Sequence, residues 1–136
     1  YNMRGENISA RCANFDYFLT LANCPTIAIG DGGNEIGMGN VADTLTDLNI
    51  IPSATCCDEL LIADVSNWAA HGLLAMLSII SGKDMLARWD NLAILNYLSE
   101  RGSVDGVTRE NTLTEDGLNA DISEQLINDL RKIVKN

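Results

Sequence analysis

Thr26-Ile27-Ala28-Ile29-Gly30-Asp31-Gly32-Gly33-Asn34-Glu35-Ile36-Gly37-Met38-Gly39 is the stretch whose reading decides the fold. A short apolar run stops at Gly30, and two carboxylates and an amide follow in a loop that carries five glycines. Glycine reaches positive φ without steric cost and lets another backbone or a ligand approach closely. A solvated hairpin also uses Gly-Gly and Asp-Gly, so glycine alone decides nothing. Strand, glycines, Asp31, Asn34 and Glu35 together point to a functional loop at the carboxyl end of a strand, where open α/β sheets bind ligands.

Working outward, residues 26–29 read as a buried strand, and Pro25 closes the element before it. In that element Phe15, Phe18, Leu19 and Ala22 fall at the spacing of an amphipathic helix, with Asn14 or Asp16 as its cap. Residues 40–48 predict a short helix. Residues 59–65 form the second strand, nearly continuous in apolar residues as central parallel strands are. Ser66 or Asn67 caps the next helix, residues 68–81, which is apolar almost all round and so predicts burial on several sides. Gly82 ends it. A helix over residues 85–101 uses Leu86, Trp89, Leu92, Ala93 and Leu95 as its core face; Trp68, Trp89 and the methionines read as core. Residues 103–118 are polar and irregular. The last helix starts near a Ser123 cap, and its cations Arg131, Lys132 and Lys135 suit a helix end. This is an α/β pattern, yet two strands are too few for a free-standing doubly wound sheet: either further strands exist or the chain is part of a larger domain.

The chain has 136 residues, 46% apolar and 21% charged, the composition of one globular domain. A net charge of −10 argues against nucleic acid and against anionic membrane surfaces. The longest apolar run, residues 68–80, is broken by His71, Gly72 and Ser78 and is too short to span a bilayer. No signal peptide opens the chain, and Tyr1 in place of Met suggests a fragment or a processed product. Cys12, Cys24, Cys56 and Cys57 have no CxxC spacing and read as buried, reduced thiols of an intracellular protein, cytoplasmic or in the mitochondrial matrix.

Polar groups follow both strands: Asp31, Asn34 and Glu35 after the first, and Asp64, Ser66 and Asn67 after the second. If the strands are parallel neighbours, these groups share one sheet edge. Paired carboxylates suit general acid–base work, and they also suit Mg²⁺ or Mn²⁺ as a possible but not required ion. The N–H groups of Gly32, Gly33 and Asn34 can form a nest for a substrate carboxylate or an oxyanion. Ser66 and Asn67 can also be no more than helix caps, and for Asn67 capping and substrate contact weigh equally. Arg4, one of few cations near the candidate site, reads either as a bidentate clamp for a carboxylate or as an ordinary surface charge. His71 reads as a satisfied structural histidine. Gly37-Met38-Gly39-Asn40-Val41-Ala42 formally matches a dinucleotide fingerprint, with Asp58 downstream, but it does not directly follow the strand, and Asp31 and Glu35 would crowd a pyrophosphate.

The chain resembles the D-glutamate cyclase family, specifically its C-terminal domain, through Tyr1-Asn2-Met3-Arg4-Gly5, Gly30-Asp31-Gly32-Gly33-Asn34-Glu35-Ile36-Gly37-Met38-Gly39 and Ser66-Asn67-Trp68. Val104-Asp105-Gly106-Val107-Thr108 and Thr114-Glu115-Asp116-Gly117-Leu118 add weaker matches in the same order. The resemblance implies a Rossmann-like parallel sheet flanked by helices, with residues 1–136 the C-terminal part of a larger α/β domain. It implies a carbon–oxygen lyase that reversibly dehydrates D-glutamate to 5-oxo-D-proline. Asp31 and Glu35 would then be the acid–base pair, and Arg4, Gly32, Gly33, Asn34, Ser66 and Asn67 would hold the substrate. The expected partners are that small amino acid, the N-terminal portion of the same protein and a second copy of the chain. A non-catalytic domain binding a small carboxylate or a metal is the alternative.

Overall fold

The computed structural model describes residue 2 and residues 5–135. The chain divides after Ala69 into two compact units. In the first, β1 (Ile27–Gly30) and β2 (Glu59–Ile62) pair in parallel, with Ile27 opposite Glu59 and Gly30 opposite Ile62. This is the α/β arrangement the sequence predicts, with a sheet of only two strands among the described residues. Asp58 sets the register. Its carboxylate accepts from the Thr26 amide at 2.7 Å and the Thr26 hydroxyl at 2.8 Å, which holds that carboxyl below the usual carboxylate range. Asp58 thus ties the two strand starts together.

Ala28 and Gly30 are buried, but Ile27 and Ile62 are 52% and 53% exposed, so β1 is only half the buried strand expected. The helix before it, α1 (Asp16–Leu21), has six residues and begins after Phe15, with no side-chain cap from Asn14 or Asp16. Its apolar stripe is exposed: Phe15 and Phe18 meet each other, ring centroids 5.9 Å apart, instead of entering a core. So short a helix aligns too few residues to bury a stripe. Residues 40–48 yield a 3-10 segment, Gly39–Thr44, in place of an α-helix.

Helix α2 covers Ser66–Ser81. His71, Ala75 and Ser78 are buried, one stripe at i, i+4 and i+7, while Met76, Leu77, Ile79 and Ile80 are exposed. Ala69, also buried, lies on the opposite face, so burial on more than one side is confined to the first turn of the helix. Gly82, at φ +67°, ends the helix as predicted, and the Lys83 amide returns to the Ser78 carbonyl. The following helix is shorter than the spacing predicts: α3 covers Asn91–Ser99 only. Asp90 divides the run, because its carboxylate accepts from the Ala93 amide at 2.8 Å and so starts a new helix. Leu86 is fully buried before that break, whereas Leu92, Trp89 and Met85 remain partly exposed.

Residues 103–118 are more ordered than their composition suggests. Strands β3 (Thr114–Glu115) and β4 (Leu118–Asn119) form an antiparallel hairpin. Its two-residue turn is Asp116 and Gly117, at φ 51° and 82°, the positive pair that an Asp-Gly turn provides. Helix α4 (Ala120–Val134) follows, and Ser123 lies inside it with its hydroxyl on Glu115 instead of capping it. Ile127 and Ala120 face the core of this unit, and Arg131 pairs with Asp84 at 3.4 Å.

Candidate active-site loop

The parallel pairing places residues 31–35 and 64–67 at one sheet edge, as the sequence predicts for neighbouring strands. Asp31 crosses that edge. Its Oδ2 accepts from the Ser66 amide at 3.0 Å and the Ser66 hydroxyl at 2.9 Å. A carboxylate from a remote loop therefore satisfies the first turn of α2, and the helix begins at Ser66 itself. This corrects the expectation that Ser66 or Asn67 caps from outside. Asn67 is exposed, as is Asp64.

Glu35 turns back on its own loop. The Gly33 amide donates to Oε2 at 2.8 Å, and the Gly32 amide reaches both oxygens at 3.2 Å. The nest assigned to a substrate anion is thus filled by an internal carboxylate. Gly32 and Gly33 bind a carboxylate, but the one bound here is Glu35.

The loop is packed against neighbouring chain. Gly33 is at φ +94°, and a Cβ there would lie 2.6 Å from Ile50 and 2.8 Å from Leu45. Gly37 is at φ +97°, and its Cβ would overlap that of Ala28; at Gly30 a Cβ would meet the Met38 sulfur at 2.5 Å. Met38 is almost fully buried there. The Ser53 amide donates to the Gly33 carbonyl at 2.9 Å, and the Gly39 amide to the Thr55 carbonyl at 3.0 Å. Asn40 exchanges two 2.9 Å bonds with the Cys57 backbone. These glycines serve close self-packing, which the sequence left undecided between turn and ligand approach.

Asn34 is half-buried and lines a cavity of about 680 Å³ beside the loop. Arg4 lies outside the described residues. All four cysteines are free, but Cys12, Cys24 and Cys56 are exposed, not buried as expected. Partial burial pushes the Cys57 thiol up. Among the described residues no three His, Cys, Asp or Glu side chains gather to hold a metal ion. Asp31 and Glu35 each engage N–H or O–H donors.

Two polar centres in the second unit escaped the sequence reading. Asp105 accepts from the Val107 and Thr108 amides through Oδ1, and from the Thr114 hydroxyl and the Gly117 amide through Oδ2. Those four donors, the Thr114 hydroxyl foremost, hold its carboxyl far below the ordinary range. Buried Glu115 accepts from Asn91 at 2.8 Å and Ser123 at 2.5 Å. The visible signal was the repeated Asp-Gly in Asp105-Gly106 and Asp116-Gly117. His71 is buried but not satisfied: both ring nitrogens lack a hydrogen-bond partner among the described residues, and the ring meets Trp89 edge-on at 5.2 Å.

Parallel strands, a self-packed glycine loop and two carboxylates at the strand ends define an α/β domain with a candidate acid–base edge. The family described as D-glutamate cyclase-like, C-terminal, matches residues 1–131, and the chain belongs to it. A human protein named D-glutamate cyclase, mitochondrial, is 35% identical over 88 residues, covering 59% of this chain and 14% of the human protein. The matched stretch is a small part of that relative's length.

Proposed function

We propose that the domain performs the chemistry for which its family is named, the reversible dehydration of D-glutamate to 5-oxo-D-proline. One observation carries this reading: Asp31 and Glu35 belong to one loop at the strand ends, each held by named donors, and Asn34 and Ile36 of that loop line an open cavity. In the forward direction the γ-carboxyl carbon gains a bond to nitrogen and loses one to oxygen. Two protons leave the ammonium group, and the departing oxygen takes up two as water.

Glu35 is the group that takes the first proton. Leaving its nest to do so frees the Gly32 and Gly33 amides, which then hold the oxyanion formed as nitrogen adds. Asp31 uses Oδ2 for Ser66, so Oδ1 is the atom that passes a proton to the leaving oxygen; the second ammonium proton returns to Asp31, and the proton taken by Glu35 completes the water. Asn34, Ser66, Asn67 and Arg4 complete the substrate contacts. Ring closure is intramolecular, so holding the chain folded over itself supplies much of the rate. The compartment named for the human relative makes the mitochondrial matrix the setting to examine first.

NMR of the full-length protein with D-glutamate, and separately with 5-oxo-D-proline, tests the reading. Interconversion of the D forms and not the L forms is expected. No interconversion in either direction overturns it and leaves a domain that binds small carboxylates.

A further inference from the structure

The cavity beside the loop has so far been assigned no ligand contacts beyond Asn34. Its volume, about 680 Å³, falls within the range of roughly 300–1,000 Å³ usual for small-molecule sites. Three stretches wall it: residues 8–16, the loop at Asn34 and Ile36, and residues 51–55. The last two are fastened together by the Ser53–Gly33 and Gly39–Thr55 backbone bonds, so the cavity and the carboxylate loop are one construction. Apolar side chains such as Phe15 and Ile36 make up part of the wall, with Asn14, Asn34, Ser53 and Thr55 as polar groups. Among the described residues that line it, Asp16 is the single charged one.

A lone half-buried carboxylate among neutral amides and hydroxyls selects for a cation on the ligand. We propose that this cavity is the amino-acid site and that Asp16 is its specificity residue, holding the substrate's ammonium group while Asn14 and Asn34 hold a carboxylate. The proposal rests on the cyclase reading, which supplies the amino-acid substrate. It explains how the loop would distinguish an amino acid from the corresponding diacid, since glutarate has both carboxylates of glutamate but no ammonium. Asp16 positions the amine within the site and takes no part in the bond changes.

Calorimetry on the full-length protein with D-glutamate and with glutarate tests it, in the wild type, Asp16→Asn and Asp16→Glu. The wild type should prefer D-glutamate by about tenfold or more. Asp16→Asn should lose that preference while binding glutarate at least as well as the wild type, and Asp16→Glu, which keeps the charge, should retain it. An undiminished preference in Asp16→Asn overturns the assignment. Turnover measured on the same samples separates the two claims. A wild type that converts D-glutamate while Asp16→Asn keeps its selectivity removes Asp16 alone; a wild type that neither binds nor converts D-glutamate overturns both.

Discussion

Gly37 shows how one residue fixes the loop. Its φ of +97° is open to glycine and strained for other residues, and an added methyl would overlap the Ala28 side chain within β1. Gly37→Ala should therefore destabilise the first unit by about 2–4 kcal/mol, combining backbone strain with overpacking. Chemical denaturation of wild type and variant measures this, and a loss below half a kilocalorie would mean that the loop yields easily. The glycines were visible in the sequence, but their partners were not. Ile50, Leu45, Ala28 and Met38 meet them through tertiary packing, and only coordinates separate a ligand cradle from a tight self-packed turn. The same holds for Asp31 and Ser66, 35 positions apart in sequence and hydrogen-bonded in space.

At the scale of elements, strong local signals held and interrupted ones failed. The parallel strand pair, the Gly82 stop and the final amphipathic helix were legible because periodicity and end signals agree within each segment. The helix expected over residues 85–101 was not, because Asp90 interrupts the apolar pattern only slightly while its carboxylate competes for the Ala93 amide. The hairpin at residues 114–119 was hidden by a polar sequence, since its order comes from Asp105 receiving four donors. Asp105→Asn replaces one acceptor oxygen with an amide that faces donors. It should cost about 2–4 kcal/mol, since hydrogen bonds to a charged group are worth roughly 1.5–3 kcal/mol each and part of them survives. Thermal unfolding would show it, and hydrogen exchange should locate the loss at residues 105–117.

Across the whole molecule, acidity should weaken the fold at two points. Burial holds the His71 ring neutral and lowers its pKa below the ordinary 6.5, with Glu115 and Glu124 opposing that shift. The unfolded chain then binds the proton more readily than the folded one. Stability is fully present above about pH 6.5 and is lost as pH falls below it toward the folded value. Asp105 adds a second, lower limb: its contribution is present above its ordinary carboxylate pKa and fades as pH falls through the depressed folded value. Denaturant midpoints measured against pH should fall on the acid side of 6.5, and His71→Leu should flatten that first decline; an unchanged decline in the variant would assign it to other groups. The central claim, that the Glu35 loop dehydrates glutamate, is tested most directly by isotope exchange. Full-length protein is incubated with D-glutamate in ¹⁸O-water, and the recovered amino acid is examined by mass spectrometry. The account predicts label in the γ-carboxylate only, with the label absent in Glu35→Gln. Unlabelled D-glutamate from the wild type would contradict it.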